Sequence, residues 1–214
     1  MSNVVKGRGV RVELGATYGA PIAVTGVTNA SPGVATATAH GLLAGAVGYF
    51  SGTAGMAQLE NQASRVATPA ANTFALQGLN TTSFGVYTAG NFTPVATWVG
   101  LAEATSYAIG GGAASLLNVS TLIDVIAQQE NGLLAAQTLS LNVLALTVPS
   151  IAMALIQASA QSGVKLMMRI THPDGSVRVA YGDPSFPGEN VAQGAVGSGT
   201  LSFNVKGFVL ALSA

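Results

Sequence analysis

A chain of 214 residues that is 49% hydrophobic carries enough apolar material for a real core, arranged as one domain or two small ones. Eight Lys/Arg balance eight Asp/Glu and only 7% of residues are charged, so a large basic field for nucleic acid is excluded and a monomer with this surface is poorly protected against self-association. The absence of cysteine excludes disulfides and thiol chemistry, and two histidines leave little material for a transition-metal site. With 27 glycines and abundant Ala, Ser and Thr, the composition favours a surface spent largely on subunit contacts. The start, MSNVVKGRGV, lacks the apolar run of a signal peptide, and the most apolar region, 133–158, is broken by Gln137, Asn142, Pro149 and Ser150. A soluble, intracellularly made protein without membrane insertion is the expectation.

Residues 1–20 hold a Gly-punctuated tail, the strand VRVEL and the link GATYGA. Val10, Val12 and Leu14 alternate with Arg11 and Glu13, and Lys6, Arg8 and Arg11 read as a solvated basic arm without the aromatic interleaving of a nucleic-acid site. From residue 21 to 92 the pattern changes to short β-type runs broken by turn residues, IAVTGVT, VATATA, AVGYFSG, NTFALQG and GVYTAGNF, as in a compact all-β module inserted into a surface loop. His40, with no Asp, Glu or second His at ligand spacing, reads as a ring bonded to loop backbone.

Beyond the module come Trp98, Tyr107 and three glycines, 110–112, which without a following lysine form no phosphate loop and read as a flexible joint. Residues 119–134 are expected to open a short helix capped by Ser120 or Thr121 and ended by Asn131-Gly132, with Asp124 and Glu130 as solvating or contact carboxylates rather than a catalytic pair. The segment from Gln137 to Tyr181 organises the rest. It reads as a strand (QTLSLNVLAL), a helix bracketed by Pro149 and Gly163 whose Ile151, Leu155 and Ile156 cover a sheet, a second strand (VKLMMRIT), a two-residue turn at Asp174-Gly175 beside His172, and a third strand (SVRVAY). After a turn-rich stretch, TLSFNVKGFVLAL supplies a last strand with Gly207 as a bulge or close-approach point. The predicted class is mainly β with one short packed helix: an antiparallel sheet with a covered apolar back and a polar front, plus the inserted all-β module. No nucleophile, base and orienting group can be assembled, no catalytic, cofactor or metal residue is assigned, and no enzyme activity is expected.

Two resemblances sharpen this reading. The run TGVTNASPGVATATAHGLLAG, with YFSGTAGMAQLENQASRVA, TFALQGL and FGVYTAGNF, is similar to a small β-barrel module of tailed-phage virion proteins, often labelled after a ubiquitin-activating-enzyme subdomain; with no cysteine, thioester chemistry is impossible here. The order strand, helix, hairpin, extended loop and final strand from Thr121 to Leu210, best matched in THPDGSVRVAYG and SGTLSFNVKGFV, resembles the major tail tube proteins of long-tailed phages.

That resemblance implies a tube-forming domain (1–20 and 93–214) whose copies close hexameric rings, each lending four main strands to an oligomeric β-barrel with the helix outside, and an outer domain (21–92). The rings stack into a channel for DNA in the virion tail, assembled in the host cytoplasm. Lumen-facing candidates are Thr138, Ser140, Asn142, Lys165, Arg169, Thr171, Arg178, Thr200, Ser202, Asn204 and Lys206. Family lumens are commonly acidic, so the basic residues imply pairing with nearby Asp or Glu, or a one-residue slip in one strand. Implied partners are further copies of the chain, transiently passing DNA without sequence preference, tape-measure, terminator and baseplate proteins, and a sheath where one exists. No cofactor is implied. A single-ring baseplate or head-tail joining protein, and a carbohydrate-binding adhesin using Tyr49, Tyr87 and Trp98, remain alternatives. Residues 108–114 and 184–199 are expected to be mobile in the monomer and ordered against a neighbour.

Overall fold

The computed structural model describes residues 7–123, 125–145, 148–185 and 188–213. In chain order the strands are β1 (Arg11–Tyr18), β2 (Ile22–Val24), β3 (Gly26–Val27), β4 (Val34–Thr36), β5 (Val47–Ala54), β6 (Ala63–Ala67), β7 (Thr73–Leu76), β8 (Ala89–Gly100) and β9 (Ala104–Gly110). They continue as β10 (Ala114–Asn118), β11 (Gln129–Leu134), β12 (Thr138–Leu144), β13 (Leu166–Thr171), β14 (Val177–Pro184), β15 (Gly188–Asn190), β16 (Ser198–Val205) and β17 (Leu210–Leu212), with the helix α1 (Ile151–Ser162) between β12 and β13. All described pairings are antiparallel, and one sheet runs β3-β4-β7-β6-β5-β8-β1-β13-β14-β16-β12-β9, while β10 and β11 pair only with each other.

Period-2 alternation sets the faces of the main sheet. Val12 opposes Ile170, Leu14 opposes Met168, Met168 opposes Ala180, Leu139 opposes Phe203 and Leu141 opposes Leu201, and all of these are buried in one apolar cluster. The sheet curls around this cluster into a half-barrel, far enough for the Tyr107 hydroxyl on edge strand β9 to meet His172 Nε2 at the end of β13, 3.2 Å away. The helix plugs the cluster with Ala152 and Ile156. Ser150 caps its start by accepting from the Met153 N–H at 3.3 Å, and Gly163 ends it in the left-handed region at φ 69. Ile151, expected to cover the sheet, is exposed, because the inward stripe falls on Ala152, Ile156 and Ser159.

A second apolar cluster joins the strands of residues 22–76 to the main sheet. Phe50, Phe74 and Phe92 form its centre, and Met167, Val177, Val179, Tyr181, Leu210 and Leu212 enter it from the other side. β8 links the two regions covalently, pairing with β2 and β5 through its first half and with β1 through its second. Tyr49 stacks on Tyr181 with ring centroids 4.0 Å apart, and the Met167 N–H donates to the Tyr18 hydroxyl at 2.8 Å. Burial pushes the Tyr18 hydroxyl up to about 12, against the lowering effect of the Met167 hydrogen bond. The front of β14 and the Met167 end of β13 are therefore packed rather than wet: Met167 is fully buried where an open polar face was expected.

Several local expectations are corrected. The described residues of 119–134 form no helix: β11 pairs with β10, and the Ser120 hydroxyl accepts from the Gln128 N–H at 2.8 Å, closing a hairpin loop rather than capping a helix. The β-branched Val119, Ile123, Val125 and Ile126 favour that outcome. The β13–β14 connection is a three-residue loop, Pro173-Asp174-Gly175, because His172 N–H bonds Ser176 O and Gly175 sits at φ 84. The glycines at 110–112 serve close approach rather than looseness, since a Cβ on Gly111 would lie 2.2 Å from the Ala136 carbonyl oxygen. The final strand is broken in two, with β16 pairing β12 and β14, and β17 returning to β14 after a turn at Gly207.

That turn is clamped by the fully buried Gln62, whose Oε1 accepts from the Phe208 N–H at 2.8 Å and whose Nε2 donates to the Phe208 and Ala63 carbonyls. Gln62→Met keeps the volume but leaves the Phe208 groups unsatisfied, so it is expected to lower stability by about 1–3 kcal/mol in urea unfolding. An unchanged midpoint would show that the clamp carries no load.

Candidate functional site

The polar face survives on β12 and β16. Thr138 opposes Asn204, Ser140 opposes Ser202 and Asn142 opposes Thr200, so six short uncharged side chains form a two-column ladder behind which Leu139, Leu141, Leu201 and Phe203 are buried. Ser106 and Ala108 of β9 extend it by pairing with Asn142 and Ser140. Asn142 is the hub: its Nδ2 donates to Ser106 Oγ at 2.9 Å and its Oδ1 accepts from the Thr200 hydroxyl at 3.1 Å. The amide thus fixes neighbouring hydroxyls while presenting no net charge. Lys206 continues the β16 column, and Asp183, opposite Asn204, holds its ammonium at 2.9 Å.

The remaining candidates separate from this ladder. Arg169 and Thr171 share its face by register but lie on β13 beside the residue 22–76 region, where Arg169 binds Glu13 at 2.8 Å and stacks over Trp98 at 4.3 Å. Lys165 lies near Glu60: burial alone would raise that carboxyl, yet hydrogen bonds from Thr53 and the Lys165 charge hold it below the usual range. Arg178 opposes Ile170, which puts it on the other face, with Met168 and Ala180. The slip that the sequence reading allowed for is thus found in β14, where Val177, Val179 and Tyr181, not Arg178, share the front with Arg169. Two basic residues of the set are paired with carboxylates, Arg169 and Lys206.

Sequence reasoning missed a projecting arm. β9 and β12 run on into β10 and β11, so residues 104–144 form one long hairpin whose outer half stands clear of the main sheet. Leu116, Leu117, Leu122, Ile123, Val125, Ile126, Leu133 and Leu134 are exposed on it, with Leu122 at 106% and Val125 at 98%. The signal was the apolar run itself, which the cap residues Ser120 or Thr121 and the stop at Asn131-Gly132 obscured. Glu130 is its one charged described residue, and Asp124 lies outside the described residues, as does Lys6 of the basic arm.

Both histidines have structural surroundings. His40 Nδ1 accepts from the Leu42 N–H at 3.0 Å and its Nε2 lies 3.2 Å from the Thr73 carbonyl. Hydrogen bonds from the Ser176 hydroxyl and N–H hold the Asp174 carboxyl below the usual range. Among the described residues no cluster of metal-ligating side chains occurs, and no helix is long and apolar enough to cross a membrane. Residues 184–199 contain β15, paired with β16, while Phe186 and Pro187 lie outside the described residues.

No curated protein matches the chain. A family model described as phage tail tube protein, TTP, matches residues 54–202, which takes in the second half of the 22–92 region, the arm, the helix, the ladder strand β12 and the first part of β16. With most of its length inside that match, and with a curled antiparallel sheet carrying one helix, the chain belongs to the phage tail tube protein family and is a structural, non-catalytic protein.

Proposed function

We propose that copies of this chain close into hexameric rings that stack as the tail tube, with the β12–β16 ladder lining a channel for DNA. What carries the reading is the juxtaposition of an uncharged polar ladder with an apolar arm, the ladder strand β12 being a leg of the arm's own hairpin. DNA phosphates held strongly at each ring would have to be released at each ring, so a lining of Thr138, Ser140, Asn142, Thr200, Ser202 and Asn204, with Lys206 neutralised by Asp183, suits passage without sequence preference. Arg169, Thr171 and Lys165 border the lining at the module side, and Arg178 is left out of it.

Closure would also satisfy β9, whose outer side is a sheet edge. Covering only Leu122, Ile123, Val125 and Ile126 of the arm in a neighbour is worth on the order of 6 kcal/mol per copy, at about 1.5 kcal/mol per side chain. Residues 21–92 form the outer domain in this arrangement, akin to the β-barrel module of virion proteins. Tape-measure, terminator and baseplate proteins, and a sheath in a contractile tail, meet the tube inside, at its ends and outside. The tube resides in the virion after assembly in the host cytoplasm.

Purified protein should form stacked hollow tubes in electron micrographs, and replacing residues 119–128 by a short Gly-Ser link should leave a folded monomer that sediments alone. Unstacked single rings from the intact chain would favour the joining-protein alternative, and tubes from the arm-less chain would remove the arm from assembly. The channel lining has its own test. Wild-type tubes should bind duplex DNA weakly at physiological salt, whereas Ser140→Lys with Ser202→Lys should keep tubes but strengthen binding at least tenfold; tight binding by the wild type would defeat the passage reading.

A further inference from the structure

Between the 22–76 region and the main sheet lies an open cleft of about 350 Å³ lined by Arg11, Arg65, Arg169, Glu13 and Thr171, with Val47 and Val177 at its walls. Glu13 is already held by Arg169, and the guanidinium groups of Arg11 and Arg65 have no hydrogen-bond or ionic partner among the described residues. Three of the chain's eight basic residues thus meet one carboxylate, leaving two guanidinium groups able to grip an added anion. The net charge of zero means that this surplus is matched by carboxylates elsewhere on the same chain. Glu130, exposed on the apolar arm, is one, and it has no ion pair among the described residues.

Register places arm and cleft at the same end of the molecule. The arm leaves the sheet at Gln137, whose carbonyl accepts from the Val205 N–H at 2.9 Å, level with Gly182 and hence with Leu166. From that level β13 runs to Thr171 and its β1 partner Arg11 in the direction in which the arm projects. Rotation about a ring axis preserves height, so the arm of one copy comes level with the cleft of the next and the contact is heterologous. We propose that the Arg11–Arg65 cleft receives the Glu130 carboxylate from the arm of a neighbouring copy, an inference that rests on the ring reading above.

The absence of cysteine makes the contact directly testable. Glu130→Cys and Arg65→Cys chains, prepared separately, mixed, assembled and treated with a short bismaleimide, should give a covalent dimer that neither variant gives alone. Rings visible in micrographs but no dimer would overturn the pairing and leave the ring reading intact; a wild-type chain that forms no rings overturns both. In parallel, Glu130→Lys should raise the critical concentration for assembly several-fold, and adding Arg11→Glu should bring it back. Failure of that rescue counts against the pairing. Saturable binding of inorganic phosphate by wild-type rings, lost in Arg65→Gln, would show the cleft open in the assembly and overturn the proposal as well.

Discussion

β8 is a single backbone shared by two packing problems. Its first half is hydrogen-bonded to β5 and its second half to β1, so the residue 22–76 region cannot move independently of the main sheet without breaking the ladder. The consequence is geometric: the front of β14 and the Met167 end of β13 must be covered, and Met167, Val177, Val179 and Tyr181 are the apolar residues that meet the cover. Farther along the curl, β12 and β16 keep a polar front of short side chains. One sheet face therefore serves two purposes, packed against the residue 22–76 region at Met167, Val177, Val179 and Tyr181 and polar along β12 and β16.

This division explains which parts were legible in the sequence. Strong alternation made β12 and β16 readable, because a ladder with one wet face leaves Thr138, Ser140 and Asn142 between buried leucines. The helix was readable from Ser150 and Gly163, whose roles are local. On β14 both faces are buried in its middle, so Val179 and Ala180 give no alternation from which to choose a side, and Arg178 pulled the assignment the wrong way. Cross-strand register, which no local pattern encodes, resolves it.

The arm was misread for a related reason. A stretch with apolar residues on every side has no moment to distinguish helix from strand, and strands β10 and β11 pair only with each other, so no main-sheet strand breaks the tie. The outer hairpin is instead fixed by its base, where Gly111 lets the two legs close on the Ala136 carbonyl. Within the glycine trio that looked like a joint, Gly111 brings the legs together more tightly than a side chain there would permit. The arm's direction is thereby tied to the β9–β12 pair, the same pair that carries Asn142.

That coupling makes the unassembled chain a hazardous species. An apolar arm held out from an almost uncharged body sets no long-range barrier to the wrong encounter, so off-pathway clumping and orderly growth draw on the same sticky surface. In the proposed tube, a growing end that captures arms quickly would keep the free pool dilute, and dilution would be the chain's main protection. Supply rate and nucleation, rather than the strength of the finished contact, would then determine whether synthesis ends in filaments or in precipitate.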